Sequence, residues 1–190
     1  YKFNAKFDEY IFLPVVDGYR FITPDYVEDR VSDFFSNVSD IRNFINAFLQ
    51  LKFSTSFNTL RRFALNTTIG IGGLWDQATR MGLSQQTEDF GQTLGRYGVG
   101  NGPYLVLPFF GPSNARDGTG LLVDFAARYF YLYVPLNLDD SPEITTPVTA
   151  LNSVDTRHRI EFRYYETGSP FEYELIRFLY TKVRRLEIER

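Results

Sequence analysis

The segment from Phe90 to Gly120, FGQTLGRYGVGNGPYLVLPFFGPSNARDGTG, restricts the fold more than any other part of the chain. It holds eight of the 14 glycines and three of the 9 prolines. Glycine permits backbone conformations that other residues resist, whereas proline fixes φ and removes a hydrogen-bond donor. We therefore expect a defined, bent path here rather than a regular helix. Its apolar centre, Tyr104 to Phe110, has to be hidden in a core or in lipid.

The length of 190 residues predicts a single domain over residues 1–190, since no linker or repeat divides the chain. Aromatic residues make up 17% of it, with 19 Phe and 13 Tyr. Aromatic rings fill cores and also suit the boundary between lipid and water. Composition alone therefore leaves both environments open.

Charge and residue usage exclude several classes of function. The net charge of -3 offers no basic surface of the kind that holds nucleic acid. The absence of Cys rules out cysteine-ligated metals, and the single His nearly excludes a histidine-rich metal site. We expect no metal and no cofactor.

No apolar run approaches the roughly 18 residues that a membrane-spanning helix needs. The longest runs, Tyr104 to Phe110 and Tyr129 to Leu136, are each broken or ended by proline. The chain begins at Tyr1 rather than Met, so we expect any signal peptide or lipid anchor upstream of that residue.

The first half of the chain predicts a series of short amphipathic helices. Thr23 and Pro24 are typical of an N-cap and a first helical position. Ser36, Asn37 and Ser39 predict the start of the next helix, and another follows with Phe53, Phe57, Leu60, Phe63 and Ala64 at helical spacing.

The second half predicts three more helices and little strand. The first covers Asp117 to Tyr133, and the polar segment Asp139 to Pro147 is then expected to be a loop. The second runs from Val148 to Glu166 and ends at Gly168. The third opens with a capping box, Ser169 to Glu172. A strand is expected only weakly, at Tyr104 to Leu107.

Periodicity leaves the environment of the apolar stripes undecided. They can face one another in a plain helical globule, or face lipid with the helices lying in a membrane interface.

An enzymatic function is not expected. No G-x-S-x-G elbow is present, and His158 lies between two arginines on what we interpret as a solvated helix face. The glycine clusters at Gly70 to Gly73 and Gly98 to Gly102 lack the spacing and the Lys-Ser/Thr of phosphate-binding loops.

Four pieces of the sequence, in order, resemble the MlaA/VacJ family of outer-membrane lipoproteins. They are FNAKFDEY (residues 3–10), FFSNVSDIRNFINAFLQ (34–50), RRFALNTTIGIGGLWDQA (61–78) and EDFGQTLGRYGVGNGPYLVLPFFGPSNARDGTG (88–120). Phe3 and Asn4 match the opening motif of the family. The lipidated Cys of the family has no counterpart in the chain, Asp40 and Ile41 stand where many relatives have Pro, and the match after Gly120 is poor.

The resemblance implies an all-α, ring-like bundle of amphipathic helices with a Gly/Pro-rich hairpin, lying in the inner leaflet of a Gram-negative outer membrane. It implies a phospholipid channel beside a porin trimer that removes misplaced phospholipid from the outer leaflet. The lipid would pass to a periplasmic carrier, and no reaction would be catalysed. The alternatives are a helical docking protein that moves no lipid and, third, a phospholipid-acting enzyme.

Two sets of residues are candidates for handling lipid. Gly98, Gly100 and Gly102, followed by Pro103, predict a mobile hairpin that adjusts the channel, although a static bend would use glycine equally well. Arg61, Arg62 and Arg96 are candidates for contact with a lipid phosphate, or else lie on a solvated helix face.

We also expect Arg116 and Asp117 to form a structural ion pair that closes the Gly/Pro segment.

Overall fold

The computed structural model of the chain describes residues 1–138, 140–166 and 169–190. The helices and strands are α1 (Lys2–Phe7), α2 (Leu13–Ile22), α3 (Asp25–Leu49), α4 (Phe53–Thr68), α5 (Gln77–Arg80), α6 (Phe90–Arg96), β1 (Tyr104–Leu107), β2 (Gly111–Asn114), α7 (Ala115–Arg128), α8 (Pro142–His158) and α9 (Glu172–Glu189). The fold is therefore helical with one small sheet, as predicted.

The N-terminal helices are consecutive segments of one helical path. A π-helical turn, Asp8–Phe12, joins α1 to α2, and the backbone at both junctions stays in the right-handed helical region. Pro14 lies one residue inside α2, directly after the π turn. A second π turn, Tyr129–Tyr133, follows α7.

Helix α3 is longer than the sequence predicted. It continues unbroken through Ser36, Asn37 and Ser39, so the prediction that these residues cap a new helix was wrong. The Ser39 hydroxyl donates to the Phe35 carbonyl one turn back, and Asn37 donates to Thr67 on α4. These side chains therefore bond along and across helices instead of ending one.

The Gly/Pro segment contains a two-stranded antiparallel hairpin. Strand β1 pairs with β2 from Tyr104↔Asn114 to Leu107↔Gly111. The turn is formed by residues 108–110. The predicted hairpin glycines lie outside it, in the loop that leads from α6 to β1. The extended conformation predicted for Tyr104 to Leu107 is confirmed.

The C-terminal helices begin and end elsewhere than predicted. Helix α8 begins at Pro142, inside the segment expected to be a loop, and it ends at His158 rather than near Glu166. Pro147 lies in its second turn, where it removes one hydrogen bond near the helix start. The predicted limits Asp139 and Gly168 lie outside the described residues.

The capping box predicted for the last helix does not form. Helix α9 begins at Glu172, so this residue is not the third residue of a helix capped by Ser169. Its carboxylate accepts hydrogen bonds from the Tyr1 hydroxyl and the Tyr165 amide instead.

The contacts between helices form a closed circuit. Helix α2 packs on α8, α8 on α3, α3 on α6 and α6 on α9. The circuit closes where the Tyr1 hydroxyl, just before α1, donates to Glu172 at the start of α9. This order of contacts agrees with the predicted ring-like bundle.

The interior of the protein is polar. The largest side chains that are almost completely buried are Arg62, Gln50, Gln92, Glu88, Asn43, Asn66, Thr59 and Asp40. In the described part of the chain, the buried apolar residues are fewer and mostly small: Ala5, Val16, Phe35, Val38, Ala47, Ala78 and Tyr133. Buried polar groups are stable only when they are hydrogen-bonded, so the fold depends on polar pairing to an unusual degree.

Of the helices described, none combines the length and the apolar character that crossing a bilayer requires.

Candidate functional site

The outer surface carries the apolar side chains that the interior lacks. Phe21 is 91% exposed, Ile22 77%, Leu122 70% and Phe171 70%. Exposed apolar stripes lie on α4 (Phe53, Phe57, Leu60), α7 (Leu122, Val123, Phe125) and α9 (Leu175, Phe178, Leu179, Val183, Leu186). The stripes that the sequence predicted are therefore present, but they face outward. Apolar surface of this extent is characteristic of contact with a membrane or a partner.

Arg62 is the centre of one interior cluster, between α3, α4 and the segment around α5. Its Nε lies 3.2 Å from Asp40 Oδ2 and its Nη2 3.1 Å from Asp76 Oδ2. Its Nη1 donates to the Thr79 hydroxyl and the Leu83 carbonyl. Arg62 is 1% exposed and Asp40 0%, so this is a buried, fully engaged ion pair.

The pKa values of the two carboxylates in this cluster are shifted in opposite directions. Burial raises the pKa of Asp40, although hydrogen bonds from Gln85 and Arg62 oppose the change. Burial also acts to raise the pKa of Asp76. There, hydrogen bonds from the Thr79 hydroxyl and amide, with others from Asn66 and Arg62, outweigh burial and lower that pKa.

Asp117 is the centre of a second cluster, which joins the β hairpin to α7 and α9. Its Oδ1 accepts from Arg116 Nε at 2.9 Å, which confirms the predicted ion pair. Its Oδ2 accepts from the Tyr180 hydroxyl at 2.7 Å and from Arg184 Nε at 2.9 Å. Asn114 Nδ2 also donates to Oδ2, at 2.6 Å. Burial acts to raise the pKa of Asp117, but these donors outweigh it and lower that pKa.

The opening motif of the chain holds the tip of the β hairpin. Asn4 Nδ2 donates to the Leu107 carbonyl at 2.8 Å, and the Phe109 amide donates to Asn4 Oδ1 at 3.2 Å. The rings of Phe3 and Phe7 pack edge-on against Phe109, with centroids 5.6 and 4.7 Å away. Phe109 has φ of 69°, a left-handed conformation that costs a non-glycine residue free energy. The contacts with α1 offset that cost.

The glycine loop before the hairpin, residues 98–103, is exposed over its first half and anchored at its far end. The Ala115 amide donates to the Pro103 carbonyl, and the Arg116 amide donates to the Asn101 carbonyl. Gly98 and Gly102 have φ of 86° and 65°, so both require glycine. Gly100 has no such φ, and a Cβ there would meet nothing within 4 Å.

The three candidate headgroup arginines lie in different environments. Arg62 is buried, so it is not on a solvated face, and its donors are already engaged within the protein. Arg61 is exposed, with its guanidinium 5.7 Å from the centre of the Phe57 ring. Arg96 is exposed at the end of α6. Contact with a lipid phosphate stays a prediction for Arg61 and Arg96.

His158 is not the solvated surface residue that its neighbours suggested. It is half-buried, and its Nε2 lies 3.1 Å from Glu28 Oε2 on α3. Its ring packs edge-on to Tyr19 of α2, with centroids 6.3 Å apart. His158 therefore helps to join α8 to α2 and α3.

The buried polar residues were not predicted, although the sequence carries a signal for them. Polar residues recur at helical spacing on the inner faces of α3 (Asn37, Asp40, Asn43 and Asn46, followed by Gln50 just after the helix) and α4 (Ser56, Thr59, Arg62, Asn66). On each helix this polar stripe is nearly as regular as the apolar one, and uncharged amides dominate the stripe on α3. A polar stripe of amides rather than Lys and Glu, beside a stripe of Phe, predicts an inward-facing polar side.

Comparison with known proteins agrees with the fold. A family model described as MlaA lipoprotein matches residues 1–187. An uncharacterized protein of Rickettsia conorii is 37% identical over 192 residues, which cover 100% of this chain and 74% of that protein. The intermembrane phospholipid transport system lipoprotein MlaA of Escherichia coli is 39% identical over 128 residues, which cover 65% of this chain and 51% of that protein.

The matches differ in how much of the relative they cover. An uncharacterized protein of Rickettsia prowazekii is 42% identical over 140 residues, 73% of this chain and 56% of that protein. The chain thus spans little more than half the length of several curated relatives it matches. A solved structure from work on the structural basis for maintenance of bacterial outer membrane lipid asymmetry has a TM-score of 0.75 and 28% identity, covering 98% of this chain and 94% of that chain. Since the family model matches almost all of the sequence, the chain belongs to the MlaA lipoprotein family.

Proposed function

We propose that this protein lies in the inner leaflet of a Gram-negative outer membrane and conducts phospholipid. In this function it removes misplaced phospholipid from the outer leaflet and passes it to a soluble periplasmic carrier, which maintains the lipid asymmetry of the membrane. A porin trimer beside it is the membrane partner that the family implies. An N-terminal lipid anchor would hold the protein there.

The observation that carries the proposal is the reversed polarity of the bundle. In water, exposing Phe21, Ile22 and Phe171 costs free energy, because each large apolar side chain is worth about 1.5–3 kcal/mol when it is buried. In the acyl region of a leaflet the same side chains are solvated. A polar interior inside an apolar exterior also provides the two environments that a phospholipid needs, one for its headgroup and one for its tails.

The test measures phospholipid in the outer leaflet of living cells. Cells that lack the protein are treated with a membrane-impermeant, amine-reactive label, and the labelled phosphatidylethanolamine is quantified. We expect labelling to rise in these cells and to return to the wild-type level when the protein is restored. Purified protein is then mixed with labelled vesicles, and transfer of phospholipid to the soluble carrier is followed.

Two outcomes would support the alternatives instead. If labelling does not change but the protein still co-purifies with a membrane partner, it is a docking protein. If purified protein releases fatty acid or headgroup from the labelled phospholipid, it is an enzyme. The predicted result is intact phospholipid transferred without hydrolysis.

A further inference from the structure

Two arginines on neighbouring helices, Arg42 of α3 and Arg128 of α7, have guanidinium nitrogens that are buried without a hydrogen-bond partner. These atoms are Nε of Arg42 and Nε and Nη2 of Arg128. Neither arginine takes part in an ion pair among the residues that the structure describes. Buried donors without a partner are costly, so these nitrogens call for a partner that is not part of the fold. The Nη2 of Arg42, by contrast, donates to Asn43 Oδ1 at 3.3 Å.

The two arginines lie on helices that meet nearby, and both lie near the phenol of Tyr131. Asn46 Nδ2 of α3 donates to Asp124 Oδ1 of α7 at 3.2 Å, which brings the two helices together. Arg42 precedes Asn46 by one helical turn, and Arg128 follows Asp124 by one turn. Burial raises the pKa of Tyr131, and the positive charges of both arginines oppose that change, so both act on the same phenol.

The carboxylate near the two arginines, Asp124, is already hydrogen-bonded within the fold. Asp124 Oδ1 accepts from Asn46, and Oδ2 accepts from the Phe90 amide at 3.1 Å. Burial raises the pKa of Asp124. Asp89 also acts on Asp124, but its charge is paired with Arg184. Two cations and one such carboxylate therefore give the site a positive charge, which favours an anion.

The surroundings indicate the kind of anion. Helix α7, which carries Arg128, and the turn after it also carry large exposed apolar side chains: Leu122, Phe125, Tyr129 and Phe130 are 40–70% exposed. A free phosphate gains nothing from such a surface, whereas a phospholipid places its tails there. Both arginines are only half-buried, which gives a ligand a route to them.

We propose that Arg42 and Arg128 together bind the phosphodiester of a phospholipid headgroup, whose acyl tails lie along the apolar surface of α7. The inference rests on the proposed phospholipid function and adds the residues that hold the headgroup. Arg donates in a planar fork that matches phosphate oxygens, and two such forks meet a phosphodiester better than one.

The test compares a double variant, Arg42→Gln with Arg128→Gln, with a control of equal charge change, Arg20→Gln with Arg80→Gln. Arg20 and Arg80 are exposed. Binding of dihexanoyl phosphatidylethanolamine, below its micelle concentration, is measured by following the arginine Nε–Hε resonances in NMR spectra. The same titration is repeated with inorganic phosphate.

We expect the short-chain lipid to shift the Arg42 and Arg128 resonances and its affinity to fall at least about tenfold in the double variant, a loss of about 1.4 kcal/mol. The control should bind as the wild type does. The double variant loses one hydrogen bond within the fold, from Arg42 Nη2 to Asn43 Oδ1 at 3.3 Å, so it should melt close to the wild-type temperature. Added lipid should raise the melting temperature of wild type more than that of the variant.

Each contrary result has a distinct meaning. Equal lipid affinity in the double variant and the control overturns the site but leaves the transport function intact. Equal affinity of wild type for phosphate and for lipid keeps an anion site and overturns the lipid assignment. If wild type binds no phospholipid and transfers none in the vesicle assay, the proposed function fails as well.

Discussion

Asn4 and Phe109 are 105 positions apart in the sequence and meet at the tip of the β hairpin, where the Phe109 amide donates to Asn4 Oδ1 at 3.2 Å. The Nδ2 of the same side-chain amide donates to the Leu107 carbonyl. One side chain therefore bonds both the Leu107 carbonyl and the Phe109 amide at this turn. Phe109, the central residue of the turn, has a left-handed conformation.

Replacing Asn4 with Ala should loosen the hairpin tip. The change removes two hydrogen bonds and leaves their backbone partners unsatisfied, at a cost of about 1–3 kcal/mol. Hydrogen exchange of the Phe109 amide should accelerate before global unfolding does. Asn58→Ala, a half-buried change on α4, is the control. Unchanged exchange at Phe109 would show that the aromatic contacts alone hold the turn.

Arg61 and Arg62 are adjacent in sequence and provide a matched pair. Arg62→Ala leaves Asp40 buried without its cation, which should lower the free energy of unfolding by about 3–5 kcal/mol. Arg61→Ala removes an exposed side chain and should change it by no more than about 0.5 kcal/mol. Urea denaturation of both variants measures the difference. Similar values for the two would contradict the structural role of the buried cluster.

Asp117 predicts a pH dependence of stability. Its pKa is lowered in the folded state, so its contribution is complete above the unfolded carboxyl pKa of about 3.9 and is lost as pH falls through the lower folded value. Asp117→Asn should lower the free energy of unfolding by about 1.5–3 kcal/mol at pH 7, because it weakens charge-assisted hydrogen bonds.

The test of that dependence is urea denaturation of wild type and Asp117→Asn between pH 3 and pH 8. The difference in free energy of unfolding between wild type and Asp117→Asn should be constant near neutral pH and should decrease below about pH 4. The exposed carboxylate Asp29 provides the control variant, Asp29→Asn, which should follow wild type throughout. A difference in free energy of unfolding that does not depend on pH would mean that Asp117 acts through packing rather than charge.

The sequence predicted the helices better than it predicted their orientation. The spacing of Phe53, Phe57 and Leu60 identified α4 and its apolar stripe. A stripe has the same period whether it faces a core or lipid, so the outward orientation came only from the structure. The inward face could have been predicted from Thr59 and Asn66, whose uncharged polar side chains share the spacing of Arg62.

The errors at the C-terminal end have local causes. Pro147 was interpreted as part of a loop because proline disrupts a helix interior, yet in the second turn of α8 it removes only one bond. Ser169 and Glu172 fit the capping-box spacing, but Glu172 instead bonds with Tyr1 from the other end of the chain. Contacts between residues so distant in sequence cannot be predicted from local pattern.

Gly100 is the place to test whether the loop before the hairpin has to move. Gly98 and Gly102 have positive φ, so any replacement there strains the backbone. A slower transfer rate could then come from impaired folding as well as from lost mobility. Gly100 has no such φ and has room for a Cβ, so Ala fits, and among the described residues its amide donates no backbone hydrogen bond that Pro would remove. Pro also restricts the preceding residue, Val99, and stiffens the loop far more than Ala does.

If loop mobility adjusts the lipid path, Gly100→Pro should slow phospholipid transfer several-fold while Gly100→Ala stays near wild type. Both variants should melt near the wild-type temperature, because a Cβ at this position meets nothing within 4 Å. The vesicle-to-carrier assay measures the transfer rate, and a melting curve verifies the fold. Transfer at the wild-type rate by well-folded Gly100→Pro would mean that the loop is a static bend and that the two positive-φ glycines serve only its shape.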